Sequence, residues 1–420
     1  MYFRPPLDHT LVTEVMKLCS GLISWWRARI LRVELTPRAQ TILSTLRGPA
    51  ILAPNHPTHD DPLVMFQISR HVRARYNYVS AYENFEELGP MLAWLLQAVG
   101  CYSVVRGTVD RQSFRVTRQL LAQERRIIVI FIEGTAPYQN DSLLPFQGGV
   151  VQLGYWALED VRRAGVELPA LPVVPVCIKY AFHGDPMPGL LHLLGGLEEQ
   201  VLGRVQEAPV LQRVRTLGLG ILEAQEEDRQ LTGGEEATLM ERVERLRRRM
   251  LEGAEELAGF HVRPGAPYTD RVFAIRRALD QDLLGEVREA HPYRQLLFEE
   301  RRQRLAYLQR DVERLTLFGN FYDGYLQEFP SPERIADILD RLHREVHRGR
   351  PARLPPRVAH VDCGESVDLV QRLEAYQQDR KGEVASVTTH LQEQMRGLLE
   401  SLYHAHTRPL HEGGAASPGP

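Results

Sequence analysis

The sequence has few cysteines, little excess charge and no long hydrophobic run. Its four cysteines, Cys19, Cys101, Cys177 and Cys363, are far apart, and no Cys-x-x-Cys pair suggests a zinc or redox site. We therefore expect reduced thiols, as in a cytoplasmic protein. The formal net charge is only -3 over 420 residues, so no overall electrostatic field points to a nucleic-acid partner.

No segment has the roughly 18–20 uncharged apolar residues that a membrane-spanning helix requires, and the first residues do not have the pattern of a secretory signal. The nearest approach is "LVTEVMKLCSGLISWWRARILRV" at 11–33, where paired tryptophans adjoin an arginine cluster. A helix with such a pattern either packs its apolar stripe on a core or lies at a membrane surface. The stripe consists of Leu11, Val15, Leu18, Leu22 and Trp26.

Between residues 31 and 185, short β-branched or aromatic runs alternate with helical patterns. The strands are predicted at 30–35, 50–54, 76–81, 101–105, 127–132 and 172–182. The helices are predicted near 61–71, 86–99, 111–125 and 148–164. Continuous apolar runs such as 127–132 indicate strands that are covered on both faces. The alternation predicts an α/β fold with a mostly parallel sheet flanked by helices.

The composition changes after about residue 185, where Arg, Glu, Gln and Leu dominate and the strand signal nearly disappears. Mixed charges on a leucine-periodic pattern are typical of helices that pack together. A further strand is predicted at 357–364, followed by a long helix. We interpret 1–45 as an N-terminal amphipathic segment, 46–185 as the α/β domain, 186–350 as an all-helical insertion, 351–405 as the strand and helix that complete the α/β domain, and 406–420 as a disordered tail.

The stretch "APNHPTHDDPLVMF" at 53–66 places two histidines and two aspartates at a predicted strand-to-helix turn. Because no distant cluster supplies further ligands, we assign no metal to it. Thr58, Asp60 or Asp61 can cap the helix that follows. Asp61 can also accept the Nδ1 proton of His56, which leaves Nε2 as a general base. Capping and catalysis do not exclude each other.

Four stretches, in order, resemble the motifs of the glycerolipid acyltransferases, which acylate glycerol phosphate or lysophospholipids. They are "NHPTHDDP" at 55–62, "GCYSVVRG" at 100–107, "FIEGTAP" at 131–137 and "LPVVPVCI" at 171–178, and "HVDCGESVDL" resembles the strand that closes the domain. The resemblance implies the glycerolipid acyltransferase-like α/β fold and transfer of a fatty acyl group in phospholipid synthesis. The implied donor is acyl-CoA or acyl-carrier protein, and no cofactor is implied.

The resemblance also implies roles for individual residues. It makes His56, Asp61 and Glu133 the catalytic residues and Arg106 the contact for the acceptor phosphate. Backbone N–H groups near Gly134 and at the start of the following helix are candidates for stabilising the oxyanion. The other residues that it places at the substrate are Asn55, Thr135 and Pro175.

Two positions depart from the third motif. Ala136 stands where the family usually has an arginine, and Ile132 replaces the usual proline. The first departure bears on the acceptor, because the missing arginine is expected to bind its phosphate. Either Arg111, Arg115 or Lys179 compensates, or the acceptor carries its charge elsewhere or lacks a phosphate.

A lipid acceptor favours the membrane-surface interpretation of residues 11–33, because in related enzymes an N-terminal helical segment dips into one leaflet. We therefore expect a peripheral, monotopic protein at the cytoplasmic face of the membrane. Two other classes are a non-catalytic lipid-binding scaffold of the same fold and a metal-dependent hydrolase. Ala136 and the large insertion suggest the scaffold, whereas the intact His56, Asp61 and Glu133 favour the enzyme.

Overall fold

An eight-stranded mixed sheet organises the described part of the chain. The structure is a computed structural model that describes residues 3–105, 110–123, 126–231, 237–259 and 324–410, with single residues and short pieces between 260 and 323. The strands are β1 (Ile30–Leu35), β2 (Ala50–Pro54), β3 (Tyr76–Ala81), β4 (Cys101–Val104), β5 (Ile127–Val129), β6 (Pro172–Phe182), β7 (Arg357–Cys363) and β8 (Val367–Asp368).

Helices lie between the strands and after β6. Within the described residues they are α1 (Thr10–Ala28), α2 (Pro37–Thr45), α3 (Asp61–His71), α4 (Tyr82–Glu87), α5 (Gly89–Ala98), α6 (Arg111–Leu121), α7 (Gly149–Arg163), α8 (Met187–Leu202), α9 (Val210–Asp228), α10 (Leu239–Ala258), α11 (Gly324–Gln327), α12 (Pro332–Val346), α13 (Leu373–Gln378) and α14 (Arg380–His406). Side-chain caps set several of their starts, for example Thr36 before α2 and Asp110 before α6, because these side chains accept the unpaired N–H groups of the first turn.

The strand order is β1-β7-β6-β2-β5-β3-β4, and β8 pairs with β6. Neighbouring strands from β6 to β4 along this order are parallel, as are β1 and β7, whereas β7 and β8 are antiparallel to β6. The predicted α/β class with a mostly parallel sheet is therefore confirmed. The strand predicted after the helical region joins the sheet as β7, between β1 and β6.

Residues on β6 alternate between two cores, one on each face of the sheet. Val173 and Cys177 belong to the core that α6, α7 and α14 cover, whereas Val174, Val176 and Ile178 belong to the core that α2, α3, α4 and α5 cover. This alternation follows from the two-residue period of a strand. A sheet that is buried on both faces explains the continuous apolar runs in the sequence.

Several predicted elements differ from the structure: the strand predicted at 101–105 ends at Val104, the helix predicted near 111–125 ends at Leu121, and two others differ as follows. The strand predicted at 127–132 ends at Val129, although the Ile130 and Ile132 N–H groups still donate to carbonyls of the β2 residues Leu52 and Pro54. The helix predicted at 86–99 is two helices, α4 and α5, which meet at Gly89. Gly89 has a φ of +74°, a backbone conformation that glycine adopts without the steric cost of a Cβ.

The helices that follow β6 form cores of their own. Leu194 of α8, Leu217 of α9 and Leu339 of α12 meet in one of these cores, and Leu246 of α10 lies in another. Residues 30–35, within the segment predicted as N-terminal and amphipathic, supply β1 to the sheet. The domain boundaries stay a prediction, and 411–420 of the predicted tail lies outside the described residues.

Candidate active site

The candidate site begins where β2 ends beside β6. Asn55 follows β2 directly, and its buried side chain forms two hydrogen bonds with the backbone of Ile178 on β6. Asn55 Nδ2 donates to the Ile178 carbonyl at 3.0 Å, and the Ile178 N–H donates to Asn55 Oδ1 at 2.7 Å. This pairing fixes the end of β2, so that His56 leaves the sheet at its carboxyl edge, where α/β sheets commonly place their sites.

His56 and Asp61 form the dyad that the sequence predicts. His56 Nδ1 lies 2.8 Å from Asp61 Oδ2, across the turn between β2 and α3. An ionised carboxylate only accepts hydrogen bonds, so Nδ1 carries the proton and Nε2 has a lone pair. The Asp61 side chain is fully buried, whereas the His56 side chain is 14% exposed. The dyad therefore offers one unprotonated ring nitrogen, on a side chain that is not fully buried.

Three other donors hold the Asp61 carboxylate in place. The Thr58 N–H donates to Oδ2 at 2.8 Å, and the Thr58 hydroxyl donates to Oδ1 at 3.1 Å. The Tyr180 hydroxyl donates to Oδ1 at 2.5 Å. With four donors, this buried carboxylate is fully hydrogen-bonded, as a buried charge must be.

The Glu133 side chain binds the backbone of His56. Glu133 Oε1 accepts the His56 N–H at 2.7 Å, and Oε2 accepts the Leu144 N–H at 2.7 Å. Burial raises the pKa of Glu133 to about 8, and the charge of Asp61 acts in the same direction, whereas the two N–H donors lower it. The geometry gives Glu133 a structural part, because it ties the turn before the dyad to the loop that follows β5.

The ring of His56 stacks on Phe131, with the ring centroids 4.1 Å apart and the planes at 23°. The ring centroid of His59, in the same turn, lies 5.9 Å from that of His56 and 5.0 Å from that of Tyr138. Stacking on one side and the Asp61 hydrogen bond on another restrict the imidazole to one orientation, which is the requirement for a positioned base.

Asp60 does not cap α3, although the sequence allowed that role. Its side chain makes no capping hydrogen bond. Instead, Oδ1 accepts from Arg27 Nε at 3.2 Å, and Oδ2 lies 3.5 Å from Arg357. These two arginines come from α1 and β7, so Asp60 joins three elements beside the dyad.

The other predicted substrate residues have different environments. Gly134 has a φ of +73°, and its N–H donates to the Phe131 carbonyl at 3.1 Å, so this turn already uses one proposed oxyanion donor. Thr135 is half-buried and Ala136 is buried. Pro175 is buried within β6, opposite Ala53. Arg106, the predicted phosphate contact, lies outside the described residues.

Of the three residues that were candidates to replace the motif arginine, Lys179 is excluded by its position. It is fully buried and forms an ion pair with Asp141. Arg111 and Arg115 are exposed on α6. Among the described residues there is no group of three or more His, Cys, Asp or Glu side chains that could hold a metal ion.

Tyr180 and Phe131 are contacts of the dyad that the sequence analysis missed. Tyr180 lies two residues after Ile178 on β6, and both side chains belong to the same core. In the sequence it is an aromatic residue in an apolar strand, which by itself indicates packing only. Its hydroxyl contact depends on β6 lying next to β2, which no local pattern shows.

Comparison with known proteins identifies the domain. The Acyltransferase family model matches residues 32–179, a range that contains His56, Asp61 and Glu133. Neither a curated protein nor a solved structure matches the chain significantly. Residues 32–179 therefore form an acyltransferase domain of the glycerolipid acyltransferase family.

Proposed function

We propose that the protein is an O-acyltransferase that moves a fatty acyl group from acyl-CoA or acyl-carrier protein to a hydroxyl of a lysophospholipid or glycerol phosphate. The family assignment supports an acyltransferase activity. The observation that carries the proposal is the 2.8 Å contact of His56 Nδ1 with buried Asp61, which leaves Nε2 for a substrate.

The chemistry follows from the dyad. Nε2 of His56 takes the proton of the acceptor hydroxyl while the hydroxyl oxygen attacks the carbonyl carbon of the thioester. The carbon–sulfur bond of the tetrahedral intermediate then breaks, and the thiolate takes the proton back from the imidazolium. Asp61 holds the imidazole in the required tautomer and stabilises its charged form. Direct transfer of this kind needs no protein nucleophile.

A panel of acceptors tests which hydroxyl receives the acyl group. Purified protein should be incubated with radiolabelled acyl-CoA or acyl-carrier protein and with glycerol 3-phosphate, lysophosphatidic acid, lysophosphatidylcholine or monoacylglycerol. We expect transfer to a phosphate-containing acceptor, with Arg106 as our proposed contact. Transfer to monoacylglycerol alone would assign the enzyme to a non-phosphate acceptor. Lipid binding without transfer to any of them would favour the scaffold.

The membrane part of the proposal is supported by the orientation of α1. The apolar stripe faces outward, with Leu22 72% and Trp26 83% exposed. The buried face is mostly polar or small and includes Lys17, Ser20 and Ser24. The Ser24 hydroxyl accepts from Gln67 of α3 at 2.7 Å. This arrangement reverses that of an ordinary surface helix, and insertion into one leaflet would cover the stripe.

A second exposed apolar surface lies on α5, next to α1. Met91 is 76% exposed and Trp94 is 47% exposed, and α5 contacts α1. Large exposed apolar side chains thus lie on two helices that contact each other, and such a grouping is typical of interaction or membrane surfaces. Among the described residues no helix is long and apolar enough to cross a bilayer. From the outward-facing apolar residues of α1 and α5 we propose a peripheral, monotopic association with the cytoplasmic leaflet.

Charged residues in the exposed stripe of α1 should weaken vesicle binding. We expect Leu22→Glu with Trp26→Glu to lower co-sedimentation with anionic phospholipid vesicles at least about 10-fold, because each side chain loses roughly 1.5–3 kcal/mol of apolar burial. The matched control is Leu257→Glu on α10. Leu257 is also exposed, and its substitution should leave vesicle binding unchanged. Equal binding of both variants would contradict the role of α1.

A further inference from the structure

Tyr180 is the contact of the dyad that comes from the greatest distance along the chain. Its hydroxyl lies 2.5 Å from Asp61 Oδ1, 119 positions away in the sequence. The side chain is buried in the core between β6 and α3. Thr58 comes from the same turn as Asp61, whereas Tyr180 comes from the sheet. Tyr180 is therefore the side-chain donor that fixes the position of the Asp61 carboxylate relative to the sheet.

The position of Tyr180 is itself fixed on two sides. Its N–H donates to Asn140 Oδ1 at 2.7 Å, and its carbonyl accepts from Asn140 Nδ2 at 2.8 Å. The guanidinium of Arg357 lies over its ring, 4.3 Å from the centroid. These contacts come from the loop after β5 and from β7, and they set the direction in which the hydroxyl points before any substrate arrives.

We propose that Tyr180 is a positioning residue for the general base, a role that rests on the proposed acyl transfer. Thr58 donates to both oxygens of Asp61, whereas His56 contacts only Oδ2 and Tyr180 donates only to Oδ1. A donor on Oδ1 fixes the carboxylate plane, so that Oδ2 points at Nδ1. It also draws negative charge away from Oδ2, which weakens the hold on the imidazolium and favours return of the proton to the leaving thiolate.

Tyr180 stays a hydrogen-bond donor over the working pH range. Burial holds the pKa of its phenol well above the usual value, and the charge of Asp61 adds to this effect, whereas Arg357 opposes it. Other titratable or charged groups surround the dyad and influence the protonation of its side chains. They are Glu133 from the loop after β5, His59 and Asp60 from the turn itself, Arg27 from α1 and Arg357 from β7.

Tyr180→Phe removes the hydroxyl and little else. We expect kcat to fall about 10-fold with KM nearly unchanged, since the lost hydrogen bond is made to a charged group and a factor of ten corresponds to 1.36 kcal/mol. The acid limb of the pH–rate profile should move to higher pH, because a carboxylate that has lost one donor attracts the imidazolium of His56 more strongly. A purely structural tyrosine would not move that limb.

The matched control is Tyr155→Phe. The Tyr155 hydroxyl also donates to a buried carboxylate, Glu383, at 3.2 Å, but it belongs to the core on the other face of the sheet. We expect this variant to lose stability without a shift of the pH–rate profile. An equal shift in both variants, or none in Tyr180→Phe, would overturn the proposal.

A readout without turnover separates this proposal from the proposed function. The titration of His56 can be followed by NMR, with His56→Gln identifying its signals. Its midpoint should move to higher pH in Tyr180→Phe even if no acyl transfer is found, and an unchanged midpoint refutes the role of Tyr180. If Tyr180→Phe does not fold, a fluorinated tyrosine introduced at position 180 keeps the hydroxyl and makes it a stronger donor. The midpoint should then move to lower pH, and any other result counts against the proposal.

Discussion

Replacement of His56 by alanine is expected to lower the rate of acyl transfer about 10²–10⁴-fold, the range that a positioned general base contributes. The acceptor hydroxyl is then not deprotonated as it attacks the thioester. KM should change little, because a base that acts in the transition state contributes little to ground-state binding. The measurement is the initial rate of transfer of radiolabelled acyl groups to the preferred acceptor.

His59→Ala is the matched control for His56→Ala, since it removes an imidazole from the same turn. Its ring lies 5.9 Å from His56 and packs beside Tyr138, so we expect most of the activity to remain. If His56→Ala retains activity within a few-fold of the wild type, His56 is not the base. Asp61→Asn should also lose activity, because the amide no longer selects the tautomer with its proton on Nδ1.

The dyad was predictable because it is local. His56 and Asp61 are five positions apart, and a strand followed by a helix with Pro62 at its second position leaves few ways to arrange the turn between them. Most of the sheet was predictable for a similar reason: β-branched and aromatic runs define β1, β2, β3 and β6 with the predicted bounds. Glu133 was placed by the order of its motif, and the structure adds that it binds the backbone of His56.

Features that depend on the neighbours of an element were not predictable from the sequence. The periodicity of α1 shows an apolar stripe but not which face is covered, and the structure buries the face with Lys17 and Ser24 instead. Tyr180 reaches Asp61 only because β6 lies beside β2. The ammonium group of Lys179 is of a type that can bind phosphate. Its position on β6, however, points the side chain into the protein interior, where it pairs with Asp141.

The buried ion pair of Lys179 with Asp141 is expected to contribute strongly to the stability of the protein. Both side chains are almost completely buried, and Arg334 of α12 lies 3.3 Å from Asp141 as well. One carboxylate thus compensates two buried cations. Asp337 of α12 also lies close by, but burial and the charge of Asp141 raise its pKa to about 7. Asp141 therefore connects β6 with the helical region that follows it.

Asp141→Asn should destabilise the protein by about 3–5 kcal/mol, because removal of one partner leaves a buried charge uncompensated. The free energy of unfolding in urea measures the loss. The matched control is Asp160→Asn, since Asp160 is about one-third exposed where it pairs with Arg118 and Arg163. That variant should lose less than about 1 kcal/mol, as exposed ion pairs contribute little. Similar small losses in both variants would show that Asp141 does not anchor the helical region.

The same variant should also affect the site, because Asp141 and Leu144 belong to one loop. Leu144 donates to Glu133, which in turn holds the backbone of His56. If Asp141→Asn loosens this loop, acyl transfer should decline at temperatures below the unfolding transition, whereas Asp160→Asn should keep its activity up to the transition. Activity that follows the unfolding curve in both variants would confine Asp141 to global stability.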